Sequence, residues 1–188
     1  MSFKIFGINI KIHFLFTAVV SLLLAIDRYG VVPYSLLSVT IHELGHLTAM
    51  LMLKEKPKQI YLCPCGVIID GSALMKSSTK TIIIASAGPL FNLLPAIFLR
   101  GGTFKTAMLV NGLLNLFPIS CTDGGDIVDC LLQRLKTEGI RRITKITINA
   151  LFITIITLLG IMIFLTSYNP TMLIASVYML IMLISGLK

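Results

Sequence analysis

His42, Glu43 and His46 fall within the five-residue run His42-Glu43-Leu44-Gly45-His46. On a helix, positions four apart share a face, so both imidazoles can reach one Zn²⁺ while the Glu43 carboxylate stands beside a water that the metal activates. That is the working end of a zinc hydrolase. The motif lies inside an apolar stretch from 31 to 53. An ionisable group deep in such a stretch costs at least roughly 2.5 to 3.5 kcal/mol on insertion scales, so three of them need a metal or a wet cavity to compensate.

A catalytic zinc takes three protein ligands and keeps one position open. Of the other titratable residues, His13 follows Lys11 at the start of the first apolar run and reads as an interfacial anchor. The acids beyond residue 70 are Asp123, Asp126, Asp129 and Glu138. Glu138 sits among Lys136, Gly139 and Arg141 in what reads as a solvated loop. Asp123 differs, because it follows Asn115-Leu116-Phe117-Pro118 and precedes Gly124-Gly125. Pro118 should break a helix, and the two glycines let backbone approach closely, so this segment can line a cavity at membrane depth. Asp123 is the expected third ligand, with one Zn²⁺ per chain.

The elements that must position these residues belong to a membrane protein. The chain has 188 residues, 56% hydrophobic and 13% charged, with a mean hydropathy of +0.94. A soluble domain of this length rarely leaves so little polar surface. Stretches able to cross roughly 30 Å of hydrocarbon occur near 10–27, 31–53, 81–99, 104–120, 146–166 and 171–187. The fold class is therefore an all-α membrane protein of about six transmembrane helices, read as a single domain over 1–188. The first run lacks a small-residue cleavage site and reads as a retained helix rather than a signal peptide. Between the second and third spans, Lys58–Leu62 and Gly66–Asp70 are β-prone runs flanking Cys63-Pro64-Cys65, which predicts a short hairpin. Its free edge could accept an extended peptide, or the hairpin could simply cover the membrane surface.

Charge sets the orientation. With six spans, one side collects thirteen Lys and Arg, including Lys4, Lys54, Lys80, Arg141 and Lys188, and the other only Arg28, Arg100 and Lys105. This bias places both termini in the cytoplasm. It also accounts for the net charge of +8 through topology and anionic headgroups, so no nucleic-acid partner is expected. Cys63, Cys65, Cys121 and Cys130 all fall on the cytoplasmic side, where they read as reduced packing residues rather than disulfides or a metal clip.

At the site residues the chain resembles the site-2 protease family of intramembrane zinc metalloproteases. His42, Glu43 and His46 match its first motif, Asn115, Pro118, Asp123 and Gly124 its second, and Ala87-Gly88-Pro89-Leu90 with Asn92 is similar to its middle span. Thr122 stands where the family usually has Leu. The resemblance covers roughly 31–130 and implies peptide-bond hydrolysis in or near the membrane segment of a protein substrate. Zinc on His42, His46 and Asp123 would acidify a water, Glu43 would act as general base, and Asn115 would bind substrate or oxyanion. The short opening around His13, the hairpin with Pro64 and Gly66, and Asp123-Gly124-Gly125 are similar to the stage IV sporulation protein FB branch. Members of that branch commonly carry a CBS domain, and none follows before Lys188. The branch implies a membrane-associated sigma-factor precursor as substrate and inhibitory membrane proteins as partners. Two other readings compete. A protease of prenylated peptides should offer a downstream Glu ligand, and only Glu138 is present; a metal transporter or non-proteolytic zinc-binding protein would spread ligands over several spans or lack Glu43.

Overall fold

The alternation Ile8-Asn9-Ile10-Lys11-Ile12 has the period of a strand, and the computed structural model places a strand there. It describes residues 2–5, 8–55, 57–63, 66–71, 78–119, 122–133, 137–167 and 177. Strands β1 (Ser2–Ile5), β2 (Ile8–Ile12), β3 (Pro57–Cys63) and β4 (Gly66–Gly71) form one sheet in the order β1-β2-β3-β4. β3 and β4 make the expected hairpin, with Tyr61 opposite Ile68. The hairpin is not isolated, however, because β2 runs parallel to β3 and pairs Asn9 with Gln59 and Ile12 with Leu62. Residues assigned from sequence to the start of the first span are thus a strand, and the edge of the hairpin left open is that of β4.

Helix α1 (Phe14–Ile26) follows directly, and Leu62 accepts the His13 N–H at 2.9 Å. His13 is exposed and its Nδ1 accepts the Leu15 N–H at 3.3 Å, so it caps the helix. Asp27 caps the next helix, α2 (Val31–Met52), from below its first turn: Oδ1 accepts from Tyr29 and Val31 at 3.2 and 3.1 Å, and Oδ2 from Val32 at 2.9 Å. Desolvation raises the pKa of this carboxyl, but these backbone donors lower it by more and hold it below the ordinary carboxylate value. In α2 the Ser35, Thr40 and Thr48 hydroxyls donate to the carbonyls four residues back, which satisfies polar groups on an apolar helix. The helix closes through Lys54, which takes a left-handed φ of 58° and whose N–H donates to Leu51 O.

Helix α3 (Ser78–Phe98) packs on α2 around Ala49, Met50 and Ile84. Glu55 and Lys80, paired at 2.5 Å, tie the end of one helix to the start of the other. Contact is close because Gly45 has no Cβ; one placed there would lie 2.7 Å from Ala87 O. Helix α4 (Thr103–Asn115) is fastened to α2 through Ser38, whose hydroxyl donates to Ala107 O at 3.2 Å and accepts from Asn111 Nδ2 at 3.4 Å. Together with the sheet, these helices form a first compact unit, Met1–Leu114.

The second unit, Asn115–Lys188, holds helices α5 (Asp123–Leu132) and α6 (Glu138–Ser167). Lys145 pairs with Asp129 at 2.5 Å across them, and Phe117 meets Phe152 at a centroid distance of 5.9 Å. Glu138 opens α6, with Arg141 on its carboxylate at 3.2 Å, and is not a loop residue.

The expectation of about six membrane-crossing helices is met in helical content and corrected in lengths. Six helices are present among the described residues, but α1 and α4 have 13 residues each and α5 has 10. At 1.5 Å per residue these are about 15–20 Å long, short of a roughly 30 Å hydrocarbon core. The span expected at 104–120 ends at Asn115 because Pro118 has no N–H and its ring opposes the carbonyl four residues earlier. Helix α5 occupies a segment to which no span was assigned from sequence. Thr79–Phe98 and Glu138–Met162 are long and apolar enough to cross a bilayer. Helices α1, α3 and α6 also expose large apolar residues to their surroundings, among them Leu22, Phe98 and Leu165 at 62, 84 and 70%, as lipid-facing helices do. The span expected at 171–187 lies outside the described residues except for Val177, which is helical.

Candidate metal centre

His42 and His46 lie on the buried face of α2 with Ser38, Gly45, Ala49 and Met50. Their Nε2 atoms face each other at 3.1 Å. His46 Nδ1 lies 2.8 Å from Ile84 O. A carbonyl only accepts, so His46 Nδ1 carries the proton and its Nε2 turns a lone pair toward His42. Two converging imidazole nitrogens need a proton or a cation between them. The separation fits a metal: two nitrogens on a tetrahedral zinc at roughly 2.0–2.1 Å stand about 3.3 Å apart.

Helix α3 shapes this pair. Gly88 faces both rings, and a Cβ on it would collide with His46 Nε2 and lie 2.8 Å from His42 Nε2. Asn92, four residues on and fully buried, places Nδ2 3.4 Å from His42 Nδ1. Ile84, Gly88 and Asn92 thus form one stripe with helical spacing along α3. Sequence reasoning placed Gly88 and Asn92 in a family motif without giving them a role; the four-residue repeat Ile84, Gly88, Asn92 was the available signal.

Asp123 is half-buried and is the first residue of α5. Thr122, where Leu is usual in the resembled family, is the N-cap: its Oγ1 accepts the Gly125 N–H at 3.4 Å and is 2.8 Å from Ile119 O, with Phe117 O also within its reach. Gly124 permits the fold-back, because a Cβ there would run into Leu116 O and come within 2.5 Å of Phe117 O. Asp123 therefore occupies a position fixed from both sides, at the positive end of a helix dipole that favours its carboxylate. Glu43 is half-buried on α2, next to His42, and Asn115 is half-buried at the last position of α4. Asp126 is exposed. Two buried imidazoles and a half-buried carboxylate are donors that suit zinc. Cys130 is buried in α5, while Cys65 and Cys121 lie outside the described residues.

No family model matches the chain. It is similar to a zinc metalloprotease of Methanocaldococcus jannaschii, at 30% identity over 171 residues that take in 78% of this chain. The chain spans about half the length of that relative, 49%. The structure is similar to that of a site-2 protease from Methanocaldococcus jannaschii, with a TM-score of 0.66 and 25% identity, covering 95% of this chain and 92% of the other. The chain is thus similar in sequence to a zinc metalloprotease and in fold to a site-2 protease, and it carries a buried histidine pair on a His-Glu-x-x-His helix.

Proposed function

We propose that the chain is an intramembrane zinc metalloprotease of the site-2 family, which hydrolyses a peptide bond in or near the membrane segment of a protein substrate. The observation that carries this reading is the 3.1 Å approach of two buried Nε2 atoms on a helix that also bears Glu43. His42, His46 and Asp123 would hold the metal. Zinc there supplies Lewis acidity, which acidifies water and polarises the scissile carbonyl. Glu43 takes the proton from the attacking water and returns it to the leaving amine. Asn115 donates its amide N–H to the substrate carbonyl or the oxyanion derived from it. A helical substrate keeps its carbonyls in intrahelical bonds, so the cleaved segment must be extended, and the edge of β4 offers backbone partners for it.

The protein sits in the cell membrane with both termini in the cytoplasm. The sheet agrees with one part of this reading, since it joins the residues before α1 to those after α2 and so keeps both on one side of that helical pair, while the excess of basic residues is what assigns that side to the cytoplasm. The substrate proposed for the sporulation branch is a membrane-associated sigma-factor precursor, held in check by inhibitory membrane proteins. Glu43→Gln tests the chemistry: it keeps the shape but not the base, so zinc should remain bound while cleavage of a membrane-tethered reporter falls roughly 10²-fold or more. Undiminished cleavage by this variant would rule out Glu43 as the base.

A further inference from the structure

The two ligand histidines are held differently by α3. His46 has a definite partner, Ile84 O, which fixes its proton on Nδ1. His42 faces an amide, and an amide can serve either tautomer. As Asn92 stands, Nδ2 is the atom 3.4 Å from His42 Nδ1, and its Oδ1 is buried with no hydrogen-bond partner. An orphaned buried carbonyl oxygen is costly and calls for a reason. The present orientation suits a His42 whose proton is on Nε2 and points at the His46 lone pair. His42 could hold zinc through Nε2 only with a lone pair there, so its proton would have to move to Nδ1, where it would need an acceptor.

We propose that Asn92 is a positioning residue for the metal, whose Oδ1 accepts the Nδ1–H of His42 when zinc is bound. This rests on the zinc-protease reading above. A half-turn about the Asn92 Cβ–Cγ bond exchanges Oδ1 and Nδ2 with no other movement, so the amide follows the tautomer of His42. The imidazole stays neutral throughout, its proton passing from Nε2 to Nδ1. Asn92 then does for His42 what Ile84 O does for His46: it fixes the ring plane and turns the Nε2 lone pair to the metal. Two turns of α3 thereby hold both imidazoles, with Gly88 leaving room for the rings between them.

The test is zinc affinity, measured by chelator competition on the purified full chain. Asn92→Leu keeps the volume and removes the acceptor, and should weaken zinc about 10- to 100-fold. Asn92→Asp can accept but not donate, and should keep the affinity within about threefold. Leu that binds as tightly as the parent overturns the proposal. So does Asp that is weakened as much as Leu, because the acceptor is then not what matters. Where Asn92→Leu does not fold, Asn92→Asp decides alone: retained affinity supports the acceptor role, and a 10-fold loss overturns it. His42→Ala in the same assay separates the two levels, since a parent that binds no better than His42→Ala defeats the metal reading itself and this proposal with it. A tight parent with a tight Asn92→Leu defeats only the role of Asn92.

Discussion

A backbone carbonyl cannot donate, and at Ile84 that one fact selects which nitrogen of His46 faces His42. The same residues carry the first prediction. Zinc content of the purified chain should fall with His42→Ala, His46→Ala or Asp123→Ala and stay unchanged with Asp126→Ala. The reverse pattern for the two aspartates would move the third ligand to Asp126. Gly88 gives a sharper prediction, since Gly88→Ala removes no ligand and yet puts a methyl group against both rings. Zinc should bind at least about 10-fold more weakly, a loss of roughly 1.4 kcal/mol. The histidine pair of this candidate site was legible in the sequence, because two histidines four residues apart in an apolar run must share one face of a helix. Asn92 and Thr122 gained their roles only from the structure. A lone Asn in an apolar helix does not announce which side chain of another helix it meets, and a Thr cap is visible only once α5 is known to begin beside it.

The ends of the elements are set by single side chains, and two of them can be tested. Asp27 accepts three backbone N–H groups at the entry to α2, which lowers its pKa from the usual 3.8 despite the opposing desolvation. Its charged form is favoured in the folded state, so the stabilisation is complete above the ordinary carboxylate pKa and is lost as pH falls through the depressed value. Thermal unfolding in detergent should be level from pH 5 to 8 as far as Asp27 is concerned and should drop below about pH 4, and Asp27→Asn should flatten that acid limb. In α5, Gly124→Ala should displace Asp123, the proposed third ligand, through collision with the 116–117 carbonyls, and zinc binding should fall with it. Strand addition also has an element-scale test. Because β3 is paired on both sides, prolines there would only break the sheet, whereas successive residues of β4 point their N–H groups in opposite directions. Of Ile68→Pro and Ile69→Pro, one should therefore block cleavage with zinc and the sheet intact. Full cleavage by both would remove β4 as the docking edge. The hairpin was legible from its two β-prone runs. Strand β2 was not recognised, although Ile8, Ile10 and Ile12 alternate with polar residues, because the apolar run continues without a break into α1 and the partner strand lies far along the chain.

For the whole molecule, the exposed apolar residues of α1, α3 and α6 and the uneven distribution of basic residues predict sidedness. In a background with the native cysteines replaced, Tyr29→Cys, between α1 and α2, should react with a membrane-impermeant thiol reagent only from outside, and Thr137→Cys, before α6, only from the cytoplasm. Both positions are exposed, so burial does not hinder the reagent. The opposite labelling would invert the topology. The parallel pairing of β2 with β3 has a consequence in time. Lys11 meets Tyr61 across fifty residues of chain, so β2 leaves the ribosome with only β1 beside it. At about 5–20 residues per second, β3 follows only some 3–10 s later, after both intervening helices have been made. In the proposed topology the sheet could close only once α1 and α2 had turned back on each other, since otherwise the two strands would lie on opposite faces of the bilayer. Closure of the β2–β3 pair would then report the direction in which α2, with His42 and His46, had been inserted.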